Sequence, residues 1–117
     1  MIRVYAAGPY SADNVIDVLK NIGMGEWHAA QLFKLGFAPF APWHDKDFVI
    51  KLFDQKLTVE QFYKYSMAWL EVSDCLFLIP GWEDSKGTLA EIKRANELNL
   101  PIFDDYKELI NFKEKSV

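Results

Sequence analysis

Short apolar segments alternate along the chain with longer stretches in which apolar residues recur every three or four positions. The short segments are almost entirely apolar, which predicts four buried strands, at residues 2–7, 37–40, 75–79 and 101–103. The longer stretches predict helices at residues 13 or 14 to about 35, 58 to about 72, 88–99 and 106–112. Apolar strands separated by helices are typical of a parallel sheet covered on both faces. We therefore expect one α/β domain over residues 1–117, with a parallel sheet of about four to five strands flanked by helices.

Local signals refine this outline at three places. Thr58, followed three residues later by Gln61, forms a capping box that starts the second long helix. Gly23 and Gly25 lie inside the first helix and weaken its middle, so a kink or a break is an alternative to a continuous helix there. Residues 43–56 show no clear periodicity, and we expect a long loop that contains a short helix.

The loops that follow the strands are where a ligand is expected. Right-handed crossovers place the carboxyl ends of parallel strands at one edge of the sheet. Open α/β sheets bind their ligands at that edge, near the point where the strand order reverses. The residues that this rule selects are 8–11, 41–45, 80–87 and 104–105.

Composition and charge narrow the class of partner. The chain is 50% hydrophobic and 15% aromatic, which excludes a disordered protein. Its 13 basic and 17 acidic residues give a net charge of −4. Polymeric nucleic acid needs a clustered basic face, which this balance does not favour. The aromatic residues instead suit a pocket for a small, flat molecule.

The single cysteine and the short apolar runs indicate the cellular compartment in which the protein is expected. Cys75 lies within an apolar strand and is interpreted as a small buried hydrophobe rather than a reactive thiol. One cysteine forms no internal disulfide, which suits a reducing compartment. No apolar run approaches the roughly 18 residues of a membrane span, and the first residues are too short for a signal peptide. We expect a cytoplasmic protein with no membrane partner.

The loop at residues 81–87 and the helix after it carry candidate chemistry. A glycine-containing turn before a helix presents free backbone N–H groups, and Ser85 and Thr88 add hydroxyls, as in a phosphate cradle. The alternative is an ordinary surface loop capped by Ser85 or Thr88. Glu91 either reaches back to the Thr88 N–H in a capping box or points to the ligand edge as an ionised nucleophile. The spacing alone favours the capping box.

Three aromatic residues lie next to strand ends. Tyr5 is either a core aromatic with its hydroxyl bonded to the backbone, or a phenol bonded to a carboxylate across the end of the sheet. Trp43 and Trp82 follow the second and third strands. A flat base stacked on an indole gains about 1–3 kcal/mol, and the alternative for each tryptophan is packing within its loop.

One polar cluster raises the question of a metal. His44 lies next to Asp45 and near Asp47. No second histidine or cysteine is close to them in the sequence, and Asp-x-Asp spacing is common on surfaces. We therefore expect no metal at these residues.

Three segments, taken in order, form a more specific pattern. They are Val4–Ser11, Leu70–Pro80 and Gly81–Glu91, the last with the form Gly-Trp-Glu-x-Ser-x-Gly. Together they resemble the nucleoside 2-deoxyribosyltransferase superfamily, and the third is closest to a short branch of it. The resemblance implies a Rossmann-like (flavodoxin-like) fold that acts on N-glycosidic bonds without a metal or organic cofactor. Members transfer a deoxyribosyl group between bases or hydrolyse a nucleoside 5′-monophosphate.

The resemblance also implies roles for individual residues. Glu91 matches the glutamate that attacks C1′ of the sugar, and Tyr5 matches the tyrosine that positions it. Ser85 stands where transferases have an aspartate for the sugar 5′-hydroxyl and monophosphate hydrolases have a phosphate-binding serine. Because a hydroxyl donates to a phosphate and a carboxylate repels it, Ser85 favours a nucleotide substrate. The other substrate-binding residues on this interpretation are Gly8, Pro9, Trp43, Asp45, Trp82 and Gly87.

One position departs from the superfamily pattern. A second aspartate, which assists release of the base, is expected eight residues before Asp74, where this chain has Ser66. A serine is not a general acid near pH 7. Either Asp45 or Asp47 replaces the aspartate, or the base leaves by another route, or the activity is lost.

These observations lead to one expected function and two alternatives. We expect hydrolysis of a (deoxy)nucleoside 5′-monophosphate to free base and sugar 5-phosphate, with Glu91 as nucleophile. The alternatives are a nucleoside deoxyribosyltransferase and a non-catalytic nucleotide-binding module. The resemblance also implies a homodimer, and an exposed helix with Phe62, Tyr63 and Trp69 fits a dimer contact as well as core packing.

Overall fold

The computed structural model describes residues 1–116 and contains a four-stranded, all-parallel sheet with helices on both faces. The strands are β1 (Arg3–Ala7), β2 (Ala38–Phe40), β3 (Cys75–Leu78) and β4 (Ile102–Phe103). The helices are α1 (Val15–Lys34), α2 (Lys46–Lys51), α3 (Val59–Leu70), α4 (Lys86–Glu97) and α5 (Tyr106–Lys115). Short 3₁₀ turns lie at Pro42–Asp45 and Trp82–Asp84. The predicted α/β fold with a parallel sheet is confirmed.

The central strand of the sheet is β1. The strand order is β2-β1-β3-β4, and Tyr5 of β1 pairs with Phe40 on one side and Leu76 on the other. The chain builds the sheet to one side of β1 and then crosses back to the other side. The carboxyl ends of β1 and β3 therefore form a switch point, where a crevice for a ligand opens.

Alternation along β1 divides the core between the two faces of the sheet. Val4 and Ala6 belong to an apolar cluster shared with α1 and α5. Tyr5 and Ala7 belong to a second cluster shared with α3 and α4. All four of these side chains are fully buried. Strand β1 therefore packs against the helices on both faces of the sheet, and this packing fixes the position of Tyr5.

Cys75 is buried in β3 and forms no disulfide. Burial raises the pKa of its thiol to about 12, so the thiol stays protonated. Its interpretation as a small buried hydrophobe is confirmed. No helix within residues 1–116 has both the length and the apolar character to cross a bilayer.

The long helix α1 runs without interruption through Gly23 and Gly25, so the alternative of a break is wrong. Its continuity follows from tertiary packing at Gly25. A Cβ at Gly25 would lie 2.2–2.5 Å from three neighbouring ring atoms of Trp43, which shows that a face of the indole lies against the helix backbone. A larger residue than glycine would hold the indole away from α1.

The start of α4 differs from its prediction. Ser85, not Thr88, is the N-cap, because its side chain accepts a hydrogen bond from the Thr88 N–H at 3.2 Å. The predicted start at residue 88 and the capping box between Thr88 and Glu91 are therefore wrong. Both residues are capping types three positions apart, and the earlier one satisfies the first turn.

The other local predictions hold. Thr58 and Gln61 form the capping box of α3. The segment that follows β2 contains the expected short helix, α2, preceded by the 3₁₀ turn at Pro42–Asp45. That turn carries Trp43 and Asp45 inward, and both are buried.

The contact between Gly25 and Trp43 predicts opposite effects for two glycine substitutions in one helix. Gly25→Ala should lower the free energy of unfolding by about 1–3 kcal/mol, because the methyl group overlaps the indole. Gly23→Ala is the control, since a Cβ there meets nothing within 4 Å. It should raise stability by about 0.5–1 kcal/mol through helix propensity. Urea unfolding measures both, and equal effects would contradict the packing argument.

Candidate active site

A cavity of about 760 Å³ opens at the carboxyl edge of the sheet, between the end of β1, the turn after β2, α3 and the start of α4. Six of the nine residues predicted for the site line it: Gly8, Trp43, Asp45, Ser85, Gly87 and Glu91. Tyr5 adjoins it through Glu91. Pro9 and Trp82 are not among the lining residues.

The Tyr5 phenol and the Glu91 carboxyl form a hydrogen-bonded pair beside the cavity. Tyr5 is fully buried in β1, and its hydroxyl donates to Oε2 of Glu91 on α4. The two residues are 86 positions apart, so the packing of α4 on the sheet brings them together. Of the two interpretations of Tyr5, the structure shows the phenol bonded to a carboxylate.

Burial determines the ionisation of this pair. Glu91 as a residue is partly buried, but its carboxyl is enclosed, which raises its pKa to about 7, and the bond from Tyr5 opposes that shift. Burial and the adjacent Glu91 raise the pKa of Tyr5, so the phenol keeps its proton and continues to donate. Near neutral pH the carboxyl therefore exists in both forms, which suits a nucleophile or a proton carrier.

The start of α4 presents hydrogen-bond donors to the cavity. Ser85 Oγ accepts bonds from the Thr88 N–H at 3.2 Å and from the Thr88 hydroxyl at 2.9 Å. These bonds occupy its lone pairs and leave its own proton free to donate. The backbone N–H groups of Lys86 and Gly87 lie in the first turn, where a helix offers them no acceptor. A Cβ at Gly87 would meet no heavy atom within 4 Å, so approach to this turn is open.

The charges around this turn have both signs. The Lys86 residue lines the cavity, and so do the exposed residues Asp84 and Asp13. The positive end of the α4 dipole adds to the charge of Lys86. An anion at this turn would be held by backbone N–H groups, the Ser85 hydroxyl and Lys86 rather than by a basic patch.

A second hydrogen-bonded carboxyl lies in the same cavity. Asp45 is only 8% exposed, and its Oδ1 accepts a bond from the Tyr10 hydroxyl at 2.7 Å. Burial raises the pKa of Asp45, while the Tyr10 bond and the Lys46 ammonium act to lower it. Burial and the neighbouring Asp45 raise the pKa of Tyr10, so this phenol also remains a donor.

Trp43 supports the cavity wall and offers little surface for stacking. The residue is 1% exposed, one face of its indole lies against Gly25, and its Nε1–H donates to the Pro9 carbonyl at 2.9 Å. Gly8 serves packing as well as lining the cavity, because a Cβ there would lie 2.6 Å from the Cβ of Ile79. These contacts hold the loop after β1 against the sheet.

Trp82 packs within its loop and is not among the residues that line the cavity, and its contact with a base stays a prediction. Its side chain is partly buried against the apolar cluster that contains Tyr5 and Leu70, on the α3 and α4 face of the sheet. The left-handed backbone at Gly81 (φ 91°) turns the chain so that Trp82 folds back onto that cluster.

Helix α3 forms a wall of the cavity that the sequence analysis does not predict, apart from Ser66. The lining residues on this helix are Val59, Phe62, Tyr63, Ser66 and Met67. The signal for this wall is the presence of apolar residues on more than one face of α3, a pattern that core packing or a dimer contact explains equally well. Val59 and Tyr63 are 86% and 51% exposed, and the expected homodimer stays a prediction.

His44 lies apart from the cavity carboxyls. Its ring nitrogen is 2.9 Å from the Glu26 carboxylate, which also binds the Lys46 ammonium at 2.9 Å. Within residues 1–116, no group of three or more His, Cys, Asp or Glu side chains is placed to hold a metal ion.

One known family matches the part of the chain that contains the whole site. The model of a family described as Domain of unknown function (DUF4406) matches residues 2–104, from β1 to just beyond β4. A search of curated proteins finds no match. The matched range contains every cavity residue named above.

The enclosed Glu91 carboxyl predicts how stability changes with pH. In the unfolded chain Glu91 loses its proton around the ordinary pKa of 4.5. In the folded protein burial raises the pKa to about 7, so the carboxyl keeps its proton to higher pH. The contribution of this group is fully present below that ordinary value and is lost as pH rises to about 7, by on the order of 3 kcal/mol. Glu91→Gln does not titrate and should be more stable than the wild type at about pH 8, with a much smaller difference at about pH 4.

Urea unfolding across this pH range measures the difference. Glu97→Gln is the matched control, because Glu97 is exposed on the same helix. Its effect should not change with pH. A stability difference for Glu91→Gln that is the same at every pH would contradict the burial of the carboxyl.

Proposed function

We propose that this chain, which belongs to the family described as Domain of unknown function (DUF4406), hydrolyses the N-glycosidic bond of a (deoxy)nucleoside 5′-monophosphate. The products are the free base and the sugar 5-phosphate. The observation that carries the proposal is the Tyr5–Glu91 pair, which adjoins the same cavity as the donor-rich start of α4. A nucleophile beside an anion-binding turn suits a substrate with an electrophilic carbon close to a phosphate.

The resemblance to the nucleoside 2-deoxyribosyltransferase superfamily supports the same function. Glu91 and Tyr5 match its nucleophile and positioning tyrosine, and they are hydrogen-bonded to each other in this fold. Ser85 matches the residue that distinguishes monophosphate hydrolases from transferases. It lines the same cavity, with a hydroxyl proton free to donate.

The geometry of α4 suggests how a nucleotide would lie. Ser85 precedes Glu91 by six residues, which is about 9 Å along a helix axis. A phosphate bound at the first turn of α4 would bring the sugar past the Glu91 carboxyl. The base would then occupy the side of the cavity formed by the turn after β2 and by α3.

The proposed chemistry has two steps. Ionised Glu91 attacks C1′ as the bond to the base breaks, which forms a glycosyl ester, and water then hydrolyses that ester, as in retaining glycosidases. Tyr5 donates to the carboxylate and fixes its orientation. Because the phenol is buried and keeps its proton, it does not compete as a base.

One observation favours a second candidate, a non-catalytic module that binds a nucleotide. Ser66 lines the cavity at the position where the superfamily has a second aspartate, and its hydroxyl does not supply a proton near pH 7. Such a module would use the same phosphate-binding turn without cleaving the substrate.

Base release from nucleotides tests the enzyme against the binding module. Incubation with a panel of ribo- and deoxyribonucleoside 5′-monophosphates should release free base, which chromatography detects. Glu91→Gln should lower the rate more than about a thousandfold, because an amide is a poor nucleophile at C1′. Glu97→Gln, on the exposed side of α4, should leave the rate unchanged.

Other outcomes of this experiment separate the alternatives. No free base from any monophosphate would contradict hydrolysis. Tight nucleotide binding that Glu91→Gln leaves unchanged would then indicate the binding module. Addition of a second base should give no exchanged nucleotide, whereas exchange would indicate a transferase.

Residue 85 predicts the preference for a phosphate. Ser85→Asp keeps a good N-cap for α4 but places a carboxylate beside the phosphate. The value of kcat/KM for a monophosphate should fall at least about tenfold, because like charges repel in a partly buried site. The value for the parent nucleoside should not fall. Ser85→Asn, which caps equally well without the charge, is the matched control, and an equal loss in both variants would contradict a phosphate at this turn.

A further inference from the structure

Cleavage of an N-glycosidic bond also needs a proton for the departing base, given the activity on which this inference rests. The base leaves C1′ with the bonding electron pair, and a positioned acid typically contributes about 10²–10⁴-fold to the rate. Glu91 is occupied by the attack on C1′. Tyr5 donates to Glu91 and is held protonated by burial, so it does not release its proton to the base. Another group in the cavity must therefore act as the acid.

Four carboxyl residues line the cavity within the described chain, and one besides Glu91 is buried. Asp13 and Asp84 are exposed, whereas Asp45 is 8% exposed and is bonded by the Tyr10 hydroxyl at 2.7 Å. Water stabilises an exposed carboxylate, whereas burial favours the neutral acid. Asp45 is therefore the carboxyl best suited to carry a proton to a ligand.

Asp45 and Glu91 approach the cavity from opposite sides of β1. Asp45 follows β2, and the helix that carries Glu91 follows β3, while β1 lies between those two strands. Asp45 and Glu91 both line the same cavity. A sugar held between Glu91 and the start of α4 leaves the Asp45 side of the cavity for the base.

We propose that the Asp45 carboxyl is the acid that protonates the departing base, and that Tyr10 positions this carboxyl. Asp45 thereby fills the role for which Ser66 is chemically unsuited. The proton donor comes from the turn after β2, whereas Ser66 is on α3.

The two steps balance with these two carboxyls. In the first, a Glu91 oxygen bonds to C1′, the bond from C1′ to the base nitrogen breaks, and the bonding pair and the Asp45 proton go to the base. In the second, a water oxygen bonds to C1′, its proton returns to the Asp45 carboxylate, and Glu91 leaves with its bonding pair. Both carboxyls then have their starting charge, and one water is consumed.

The groups that face Asp45 determine when it carries the proton. Burial raises the pKa of Asp45, and the Tyr10 bond and Lys46 on α2 act in the opposite direction. Glu91 lines the same cavity, and the Glu26 carboxylate on α1 lies 2.9 Å from the Lys46 ammonium. Activity that needs neutral Asp45 and ionised Glu91 should show a limb on each side of a pH optimum.

Two substrates with different leaving groups test the role of Asp45. One is a nucleoside 5′-monophosphate, and the other is a sugar 5-phosphate with 4-nitrophenolate at C1′, which leaves without a proton. Asp45→Asn should lower kcat about 10²–10⁴-fold on the nucleotide but less than about tenfold on the nitrophenyl substrate. The matched control is Asp47→Asn, which changes an exposed carboxylate two residues away and should leave both rates unchanged. Glu91→Gln should abolish both.

The outcomes distinguish this inference from the function on which it rests. If the wild type cleaves both substrates and Asp45→Asn slows them equally, or slows neither, Asp45 is not the acid. If the wild type cleaves neither substrate, the N-glycosidase activity is absent. The proposed role of Asp45 in that activity is then also wrong.

The pH profile of Tyr10→Phe gives a second test that does not depend on removal of Asp45. The Tyr10 bond lowers the pKa of Asp45, so its loss should raise that pKa and keep the acid protonated at higher pH. At pH values above the optimum, kcat on the nucleotide should therefore rise relative to kcat of the wild type. A rate that falls by the same factor at every pH would show that Tyr10 has a structural role only and would count against Asp45 as the titrating acid.

Discussion

The buried hydrogen bond between the Tyr5 phenol and the Glu91 carboxyl is the constraint on which the rest of the site depends. It joins the central strand to α4, and it holds a carboxyl where burial opposes its charge. The strand supplies rigidity because β1 is packed on both faces. The helix begins after Ser85, which caps it three residues before the predicted start at Thr88. Its Glu91 carboxyl accepts the bond from Tyr5 in the sheet instead of forming a capping box with Thr88.

Much of the fold was predictable because its signals are local. Continuous apolar strands, a helix periodicity and the Thr58 capping box are properties of neighbouring residues, and the structure contains all of them. Other features were not predictable because two local signals of equal strength competed, or because tertiary packing overrode a local signal. Ser85 and Thr88 are both good N-cap residues, and only the packing of α4 selects between them. Likewise, the glycine at position 25 weakens a helix in isolation, yet the indole of Trp43 packs against it.

The site was predictable as a set of loops and only partly as a set of contacts. The rule for parallel sheets identified the edge where the cavity lies, and the resemblance singled out Glu91 and Tyr5. The hydrogen bond between Tyr10 and Asp45 joins residues that are 35 positions apart in the sequence. No local sequence pattern predicts such a contact. Trp82 shows that a position after a strand end does not by itself place a side chain in the cavity. It follows a strand end, as a ligand contact would, but the turn at Gly81 folds it onto the core.

The capping role of Ser85 leaves this position open to evolutionary change. Serine, aspartate and asparagine satisfy the first turn of a helix about equally well, so the fold does not require one of them over the others. The charge that α4 presents to the cavity can therefore change by one unit while the helix keeps its cap. A change of charge at this edge of the sheet therefore does not by itself remove the start of α4.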